Sequence, residues 1–254
     1  MCRRFALSVS IVIAIVLGLA AVDAGAAELK VLGAGPVEGT FKELAAGFMR
    51  ETGHKVEGAF DTVGAIQAKL RSGEKPDILI LSAPVMEEME KSGSLVAGTR
   101  AEIGRATSGF AVRAGATVPD ISTPDALKKT LLAARSVAYV DPAGGGTTGI
   151  FFAGLLDRLQ IADEINKKAI RPQRGYQVAE AVADGRAEIG NTNMSELVPN
   201  KGVKVVGPIP QPLGLVITYV AGVASTSANR EGARALIAQL TSAAARERFK
   251  AAGL

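Results

Sequence analysis

The chain has 254 residues, 48% of them hydrophobic, and a formal net charge of +4. This mild charge is spread along the sequence, which argues against nucleic acid as a partner, because nucleic-acid-binding surfaces concentrate lysine and arginine. The single cysteine, Cys2, and the single histidine, His54, exclude the common zinc sites and give nucleophilic catalysis little support. We therefore expect no metal, no cofactor and no catalytic residue.

The N-terminus has the pattern of a secretory signal. Arg3 and Arg4 precede an apolar run over residues 5–22, and Ala24-Gly25-Ala26 offers a cleavage site of small residues. We predict a signal peptide over residues 1–26 and a periplasmic mature protein. The apolar run is also long enough to cross a bilayer, so a retained anchor stays the alternative.

The first part of the mature chain reads as three strand–helix pairs. A strand at 29–32 precedes an amphipathic helix with apolar residues from Phe41 to Met49. A strand at 55–60 precedes a second helix, and a buried, parallel strand at 77–81 precedes a third helix that Pro84 starts. This alternation predicts a doubly wound α/β unit.

A second α/β unit follows a polar, irregular segment. It has strands at 109–112 and 136–140, with a helix between them that Thr123 caps, and a helix at 150–159. The last part, with a strand at 213–220 and helices after residue 229, is too small for a third core. We predict lobe I over 27–107 and 208–254 and lobe II over 108–207, joined by two crossings.

A glycine-rich run, Gly144–Gly149, lies between the strand at 136–140 and the next helix. Backbone N–H groups at a helix N-terminus bind anions, and Thr147 and Thr148 add hydroxyl donors. The glycine spacing also matches a dinucleotide fingerprint, but the acid expected further on is replaced by 171–174, Arg-Pro-Gln-Arg. A phosphate-binding P-loop is excluded because Ile150 and Phe151 stand where Lys and Ser or Thr are required. The alternative is a loop that only turns a corner.

Three further loops follow predicted strands in the same way. Ligands of open α/β sheets bind outside the carboxyl ends of strands, so these loops and the glycine-rich run are predicted to meet in one cleft. The predicted ligand-binding residues are Gly33, Ala34, Gly35, Thr62, Val63, Gly64, Thr147, Thr148, Gly149, Asn191 and Asn193.

Several ionisable side chains lie close to these loops. Glu38, Asp61 and Asp141 are more typical of helix starts and turns than of catalysis, although acid–base chemistry stays open. Arg105, Arg171 and Arg174 are candidates to pair with a carboxylate ligand. An ionisable side chain in the cleft would favour an organic acid or an enzyme, whereas N–H and hydroxyl groups alone would favour an inorganic oxyanion.

Several segments together resemble the molybdate-binding-protein family of periplasmic solute-binding proteins. They are residues 29–35, 75–81, 141–150, 187–190 and 202–207, in this order over essentially the whole mature chain. The resemblance implies a two-lobe type II periplasmic binding protein fold. It also implies a protein that closes on a small anion and delivers it to an ABC permease in the inner membrane. We expect a monomer.

The loops depart from those of the family's molybdate binders, which use serine hydroxyls after the first two strands and a tyrosine from the second lobe. Here those places hold 33–35 (Gly-Ala-Gly), 62–64 (Thr-Val-Gly) and 191–193 (Asn-Thr-Asn). The chain resembles a divergent branch that is also similar to aconitate isomerase. A molybdate-like oxyanion and a small organic acid both stay open as ligands. A periplasmic tricarboxylate isomerase and a sensor module are the alternative functions.

Overall fold

The computed structural model describes residues 27–254, so the predicted signal peptide lies outside the described residues. The strands are β1 (Glu28–Ala34), β2 (Lys55–Asp61), β3 (Ile78–Ser82), β4 (Ala101–Arg113), β5 (Val137–Tyr139), β6 (Ala169–Ile170), β7 (Ile189–Asn193), β8 (Val203–Pro208) and β9 (Val216–Val223). The α-helices are α1 (Glu38–Thr52), α2 (Val63–Arg71), α3 (Ala83–Lys91), α4 (Pro124–Ala133), α5 (Thr147–Arg158), α6 (Ala162–Asn166), α7 (Gly175–Ala183), α8 (Met194–Leu197), α9 (Arg230–Leu240) and α10 (Ala243–Ala251). Short 3-10 turns at Gly35–Val37 and Pro142–Gly144 precede α1 and α5. None of the helices in residues 27–254 combines the length and hydrophobicity that crossing a membrane requires.

The strands form a mixed sheet with the order β2-β1-β3-β9-β4-β7-β5-β6, and β8 pairs with β4 off this path. β1 runs parallel to β2 and β3, and β5 runs parallel to β6 and β7. β9 lies antiparallel between β3 and β4. The strand predicted as parallel at 77–81 therefore has one parallel and one antiparallel neighbour, because the chain returns from its far half to pair with it.

β4 connects the two halves of the sheet. Its residues 101–107 pair with β9, and its residues 108–113 pair with β7 and β8. The return crossing lies beside it: the Ile209 N–H donates to the Ser108 carbonyl, and the Ser108 N–H donates to the Leu215 carbonyl, both at 3.1 Å. The fold thus has two lobes joined by two crossings. We propose that the lobes divide at residues 107 and 208, next to these crossings.

Each lobe has its own apolar core. In lobe I, the half with β1, β2, β3 and β9, the core includes Leu32 and, from the C-terminal helix α10, Phe249. In lobe II, the half with β5 to β8, Phe110 and Phe152 pack edge to face with ring centroids 5.8 Å apart. Both cores lie beneath strands whose carboxyl ends point to the space between the lobes. The loops that follow these strands therefore border that space.

Some local predictions are confirmed. Thr123 caps α4, since its hydroxyl accepts a hydrogen bond from the Ala126 N–H at 3.1 Å. Gly53 ends α1 with a left-handed φ of 74°. Helix α5, however, begins at Thr147 and not at 150, so both threonines belong to its first turn.

The prediction of an irregular segment before residue 109 was wrong, because that segment is the first half of β4. The pairing with β9 shifts register between Glu102 and Gly104. Such a bulge breaks the alternation of buried and exposed side chains by which a strand is recognised in a sequence. The strand predicted at 213–220 begins later, at Val216.

Candidate functional site

Five helices begin at one cleft between the lobes. The 3-10 turn before α1 and the first turn of α2 enter it from lobe I, and the first turns of α5, α7 and α8 enter it from lobe II. Helix N-termini present backbone N–H groups and a partial positive charge, so their convergence favours an anion. The lining residues are Ala34, Gly35, Pro36, Glu38, Phe60, Asp61, Thr62, Val63, Val140, Gly146, Thr147, Thr148, Arg174, Gly175, Tyr176, Asn193, Glu196 and Tyr219.

The cavity itself is small. The lobes leave about 30 Å³ between them, which is room for one or two water molecules. A wider groove of about 460 Å³ adjoins the cavity and shares residues such as Gly35, Arg174 and Glu196 with it. The small cavity and the wider groove thus share one cleft, which residues of both lobes line.

The glycine-rich run forms the lobe II wall of the cavity. Asp141 starts it, and its carboxylate accepts a hydrogen bond from the Ala143 N–H at 3.1 Å, as a turn residue does. Thr147 and Thr148 line the cavity. Gly149 does not, because it packs on the strand side, where a Cβ would overlap the Val140 carbonyl.

The glycine-rich run also touches lobe I directly. The Thr62 hydroxyl donates to the Gly144 carbonyl at 2.6 Å, and the Gly64 N–H donates to the Gly145 carbonyl at 3.1 Å. A Cβ on Gly64 would lie 2.7 Å from the Cα of Gly145, which is closer than atoms pack. Glycine at both positions therefore permits the lobes to approach this closely.

An ion pair crosses the cleft. One terminal nitrogen of Arg174, the residue before α7, lies 3.0 Å from the Asp61 carboxylate at the end of β2. The side chains are 38% and 22% exposed, so the pair faces the cavity and is not sealed in a core. Arginine has five N–H donors, and this contact leaves others available to a ligand.

Glu196 places a carboxyl deep in the cleft. Its Oε2 accepts hydrogen bonds from the Thr192 hydroxyl at 2.7 Å and from the Asn193 side-chain amide at 3.1 Å. A Cβ on Gly175 would overlap this carboxyl, so glycine at the start of α7 makes room for it. Removal from water raises the pKa of Glu196 above its usual 4.5. The bonds from Thr192 and Asn193 oppose the shift, and repulsion from Glu38 adds to it.

Two further polar groups lie beside Glu196. Tyr219 lines the cavity and is 1% exposed, and burial raises the pKa of its hydroxyl, with the Glu196 carboxylate adding to the shift. It therefore stays protonated and able to donate. Asn193 is 3% exposed, and its Oδ1 has no hydrogen-bond partner within residues 27–254. A buried acceptor without a partner is costly, and a ligand or water in the cavity could satisfy it.

The structure brings seven of the eleven predicted site residues to the cavity. They are Ala34, Gly35, Thr62, Val63, Thr147, Thr148 and Asn193. The other four serve packing: Gly33 makes room for the Phe60 ring, Gly64 and Gly149 permit the close backbone approaches described above, and Asn191 has its amide bonded to the Gly109 carbonyl at 2.9 Å.

Only one of the three candidate arginines, Arg105, Arg171 and Arg174, lines the cavity. Arg174 lines the cavity. Arg171 donates to the Tyr139 hydroxyl at 2.9 Å, away from the cavity, and Arg105 pairs with Glu102 on the surface at 2.9 Å. Of the predicted carboxylates, Glu38 and Asp61 line the cavity and Asp141 does not.

Glu196 and Tyr219 were not predicted as site residues, although the sequence around Glu196 does carry a signal. Asn193 and Glu196 have the spacing of a helix N-cap and its N3 acid, directly after a predicted strand. Helix α8 is four residues long, too short for hydrophobic periodicity to reveal. Tyr219 reaches the cleft from β9, a strand of lobe I, and nothing in the local sequence distinguishes it from a core tyrosine.

The two lobes with a cleft at the carboxyl ends of their strands define a solute-binding protein. The chain belongs to the family of bacterial extracellular solute-binding proteins, whose family model matches residues 29–254. The predicted two-lobe periplasmic binding protein fold and the resemblance to molybdate-binding proteins are confirmed.

Individual relatives differ in what their names say they do. The chain is 34% identical to an aconitate isomerase from a Pseudomonas species over 232 residues, which are 89% of this chain and 87% of the relative. It is 27% identical to the molybdate-binding protein ModA of Azotobacter vinelandii over 257 residues, 96% of each chain. The solved periplasmic molybdate-binding protein of Azotobacter vinelandii superimposes with a TM-score of 0.68 at 22% identity, covering 89% of this chain and 97% of that one.

Proposed function

We propose that this protein captures a small organic acid between its lobes and that Arg174 binds a carboxylate of that acid. The observation that carries the proposal is the position of Arg174, the one cationic side chain among the cavity-lining residues of the described chain. A guanidinium matches a carboxylate with two parallel N–H donors, which gives both strength and orientation. The converging helix N-termini and the hydroxyls of Thr147 and Thr148 supply further donors.

The rest of the lining favours an organic acid over an inorganic oxyanion. Phe60, Val140 and Tyr176 give the cavity apolar surface, which a carbon skeleton can contact and a tetrahedral oxyanion cannot. Glu38 and Glu196 place carboxyl groups in the same cavity. A carboxylate in the cavity can accept a hydrogen bond from a hydroxyl or a protonated carboxyl of an organic acid, whereas a fully ionised oxyanion has no donor to offer and is only repelled.

A thermal-shift panel tests this proposal directly. The panel comprises citrate, cis-aconitate, trans-aconitate, molybdate, tungstate, sulfate and phosphate. A ligand at 100 times its Kd stabilises the protein by about 2.7 kcal/mol. We expect a shift from at least one of the three organic acids and none from the inorganic anions. A shift from molybdate or tungstate alone would overturn the organic-acid proposal.

A pair of arginine variants locates the binding. A hydrogen bond to a charged group is worth about 1.5–3 kcal/mol, so Arg174→Ala should weaken binding of the organic acid by about 10-fold to 150-fold. Arg186→Ala is the matched control, because Arg186 also pairs with an aspartate, Asp184, but at the surface of lobe II and away from the cavity. Equal affinities of the two variants would place the ligand elsewhere.

The transport role belongs to the same proposal. We infer that the mature protein works in the periplasm as a monomer and passes its ligand to an ABC permease in the inner membrane. Membership of the extracellular solute-binding family supports this inference.

A second candidate function is isomerisation of a tricarboxylate. The 34% identity to an aconitate isomerase favours it, and so does the cleft itself, where the Glu196 carboxyl, whose pKa burial raises, lies beside the protonated hydroxyl of Tyr219. Incubation of the purified protein with trans-aconitate, followed in the ultraviolet, tests it. Formation of cis-aconitate in proportion to protein concentration would make the protein an enzyme, and a flat trace at high protein concentration would exclude this reaction.

A further inference from the structure

We propose that Glu196 holds a proton in the ligand-bound cleft and donates it in a hydrogen bond to the bound carboxylate, so that capture of the acid takes up a proton at any pH at which this carboxyl is ionised in the free cleft. This inference rests on the proposed function and adds the protonation state of the site. It makes binding of an organic acid dependent on pH through one named side chain.

The side-chain hydrogen bonds of Glu196 reach one of its two oxygens, and the Asn193 backbone also donates to the carboxyl. Both side-chain donors, from Thr192 and Asn193, reach Oε2, and no side-chain donor within residues 27–254 reaches Oε1. Oε1 faces the backbone of lobe I, where a Cβ on Gly35 would lie 3.3 Å from it. A proton on Oε1 would therefore not disturb the two bonds to Oε2.

No positive charge in the described chain neutralises Glu196. The cations that line the cavity or the adjoining groove with it are engaged elsewhere, since Arg174 pairs with Asp61 at 3.0 Å and Lys42 pairs with Glu38 at 2.5 Å. Burial raises the pKa of the Glu196 carboxyl, and Glu38 repels its ionised form. An entering carboxylate adds a further negative charge next to it, which favours the protonated form still more.

The other titratable groups around Glu196 are less suited to take up a proton when the ligand binds. Asp61 and Glu38 already accept from the cations named above. Tyr219 carries a hydroxyl that burial keeps protonated at all working pH values. The charged and titratable side chains that line the cavity or the adjoining groove with Glu196 are Glu38 and Lys42 on α1, Asp61 on β2, Arg174 before α7, Tyr176 and Glu180 on α7, and Tyr219 on β9.

A carboxylic acid facing a carboxylate forms a short, charge-assisted O–H···O hydrogen bond, one of the stronger kinds in proteins. In this arrangement the guanidinium of Arg174 and the acid proton of Glu196 would both donate to the ligand. The proton thus converts a repulsive neighbour into a binding group.

Calorimetry on the whole mature protein tests the inference, with trans-aconitate and citrate as probes. The binding heat is measured in two buffers with different ionisation heats between about pH 6 and pH 8, where the carboxyls of trans-aconitate are ionised. We expect proton uptake to rise toward one proton per ligand as the pH rises through the pKa of the free carboxyl, and the affinity for trans-aconitate to fall by up to tenfold per pH unit above it. Binding without proton uptake would overturn this inference and leave the proposed function intact, whereas no binding of either probe would overturn both.

Two variants assign the proton to Glu196. Glu196→Gln keeps the size of the side chain and a neutral donor, so it should bind within about threefold of the wild-type affinity at pH 6 and lose both proton uptake and pH dependence. Glu38→Gln removes a carboxyl from the same cavity and should keep the proton uptake. Proton uptake that persists in Glu196→Gln would assign it to another group and overturn the inference.

Discussion

The guanidinium of Arg174 lies 3.0 Å from the carboxylate of Asp61, and this ion pair joins the residue before a helix of lobe II to the end of a strand of lobe I. Asp61 therefore contacts the same guanidinium that we propose a ligand carboxylate binds. The pair stabilises the approach of the two lobes, and a ligand carboxylate can take the place of Asp61 in it.

Asp61→Asn should shift the ligand-free protein toward an open form. The substitution removes the charge but keeps the oxygen that accepts from the Thr62 N–H at 2.8 Å. Because both partners are partly exposed, the pair is worth at most about 1 kcal/mol, which is up to about a fivefold change in the ratio of open to closed forms. A larger radius of gyration in small-angle X-ray scattering would report it.

The control for this prediction is Asp184→Asn, which breaks an ion pair with Arg186 within lobe II. It should leave the radius of gyration unchanged. An unchanged radius in Asp61→Asn as well would mean that the other contacts between the lobes, such as that of Thr62 with Gly144, hold them together without the pair.

Much of the fold could be predicted because its signals are local. The apolar run at β3 and the cap at Thr123 each predict their element from a few neighbouring residues. The first half of β4 could not be predicted in this way, because a bulge near Gly104 interrupts its alternation. Its identity as a strand depends on pairing with β9, whose sequence lies more than a hundred residues further on.

The candidate site was predictable in its backbone and less so in its side chains. Loops after strands, such as the one with Thr147, were expected to converge, and the segments do converge, although residues 191–193 are the end of β7 and not a loop after it. Which side chains turn into the cavity depends on contacts between distant residues, such as the room that Gly175 leaves for Glu196. Gly149 shows the same limit. Its place in the glycine-rich run predicted ligand binding, whereas its contact with the Val140 carbonyl gives it a packing role.

Glu196→Gln should stabilise the protein at neutral and alkaline pH and have no such effect in acid. Burial raises the folded-state pKa of this carboxyl above its usual 4.5. Below pH 4.5 the group is protonated in both the folded and unfolded states. As the pH rises further, the unfolded state ionises first, and the wild-type protein loses stability until the pH exceeds the folded-state pKa. The variant cannot ionise and escapes this loss.

Thermal denaturation of the ligand-free protein across this pH range measures the effect. A gain of 1 kcal/mol corresponds to about 2–4 °C for a chain of this size. Glu188→Gln is a control of opposite sign, because hydrogen bonds from the Arg135 backbone and side chain lower the pKa of Glu188. It should be less stable than the wild type at neutral pH. A Glu196→Gln variant that is also less stable there would contradict the assigned direction.

Gly149→Ala should destabilise lobe II. A Cβ at this position would overlap the Val140 carbonyl, and neither the strand nor the helix can yield cheaply. Overpacking of this kind costs about 1–3 kcal/mol, which urea denaturation would show. If the variant instead unfolds like the wild type but no longer binds the acid, Gly149 has the ligand-binding role that its sequence pattern indicates.

Gly64→Ala should separate closure of the cleft from stability of the fold. Gly64 is the second residue of α2, where alanine favours the helix by about 0.5–1 kcal/mol, so urea denaturation should show equal or higher stability. The new methyl group would, however, meet the Cα of Gly145 across the cleft at 2.7 Å. The lobes would have to stay apart, and at a cost of about 1–3 kcal/mol the affinity for the organic acid should fall by about 5-fold to 150-fold.

Gly154→Ala on the exposed side of α5, where a Cβ meets nothing within 4 Å, is the matched control and should gain helix stability with unchanged affinity. Wild-type affinity in Gly64→Ala would show that ligand binding does not need the approach of Gly64 to Gly145.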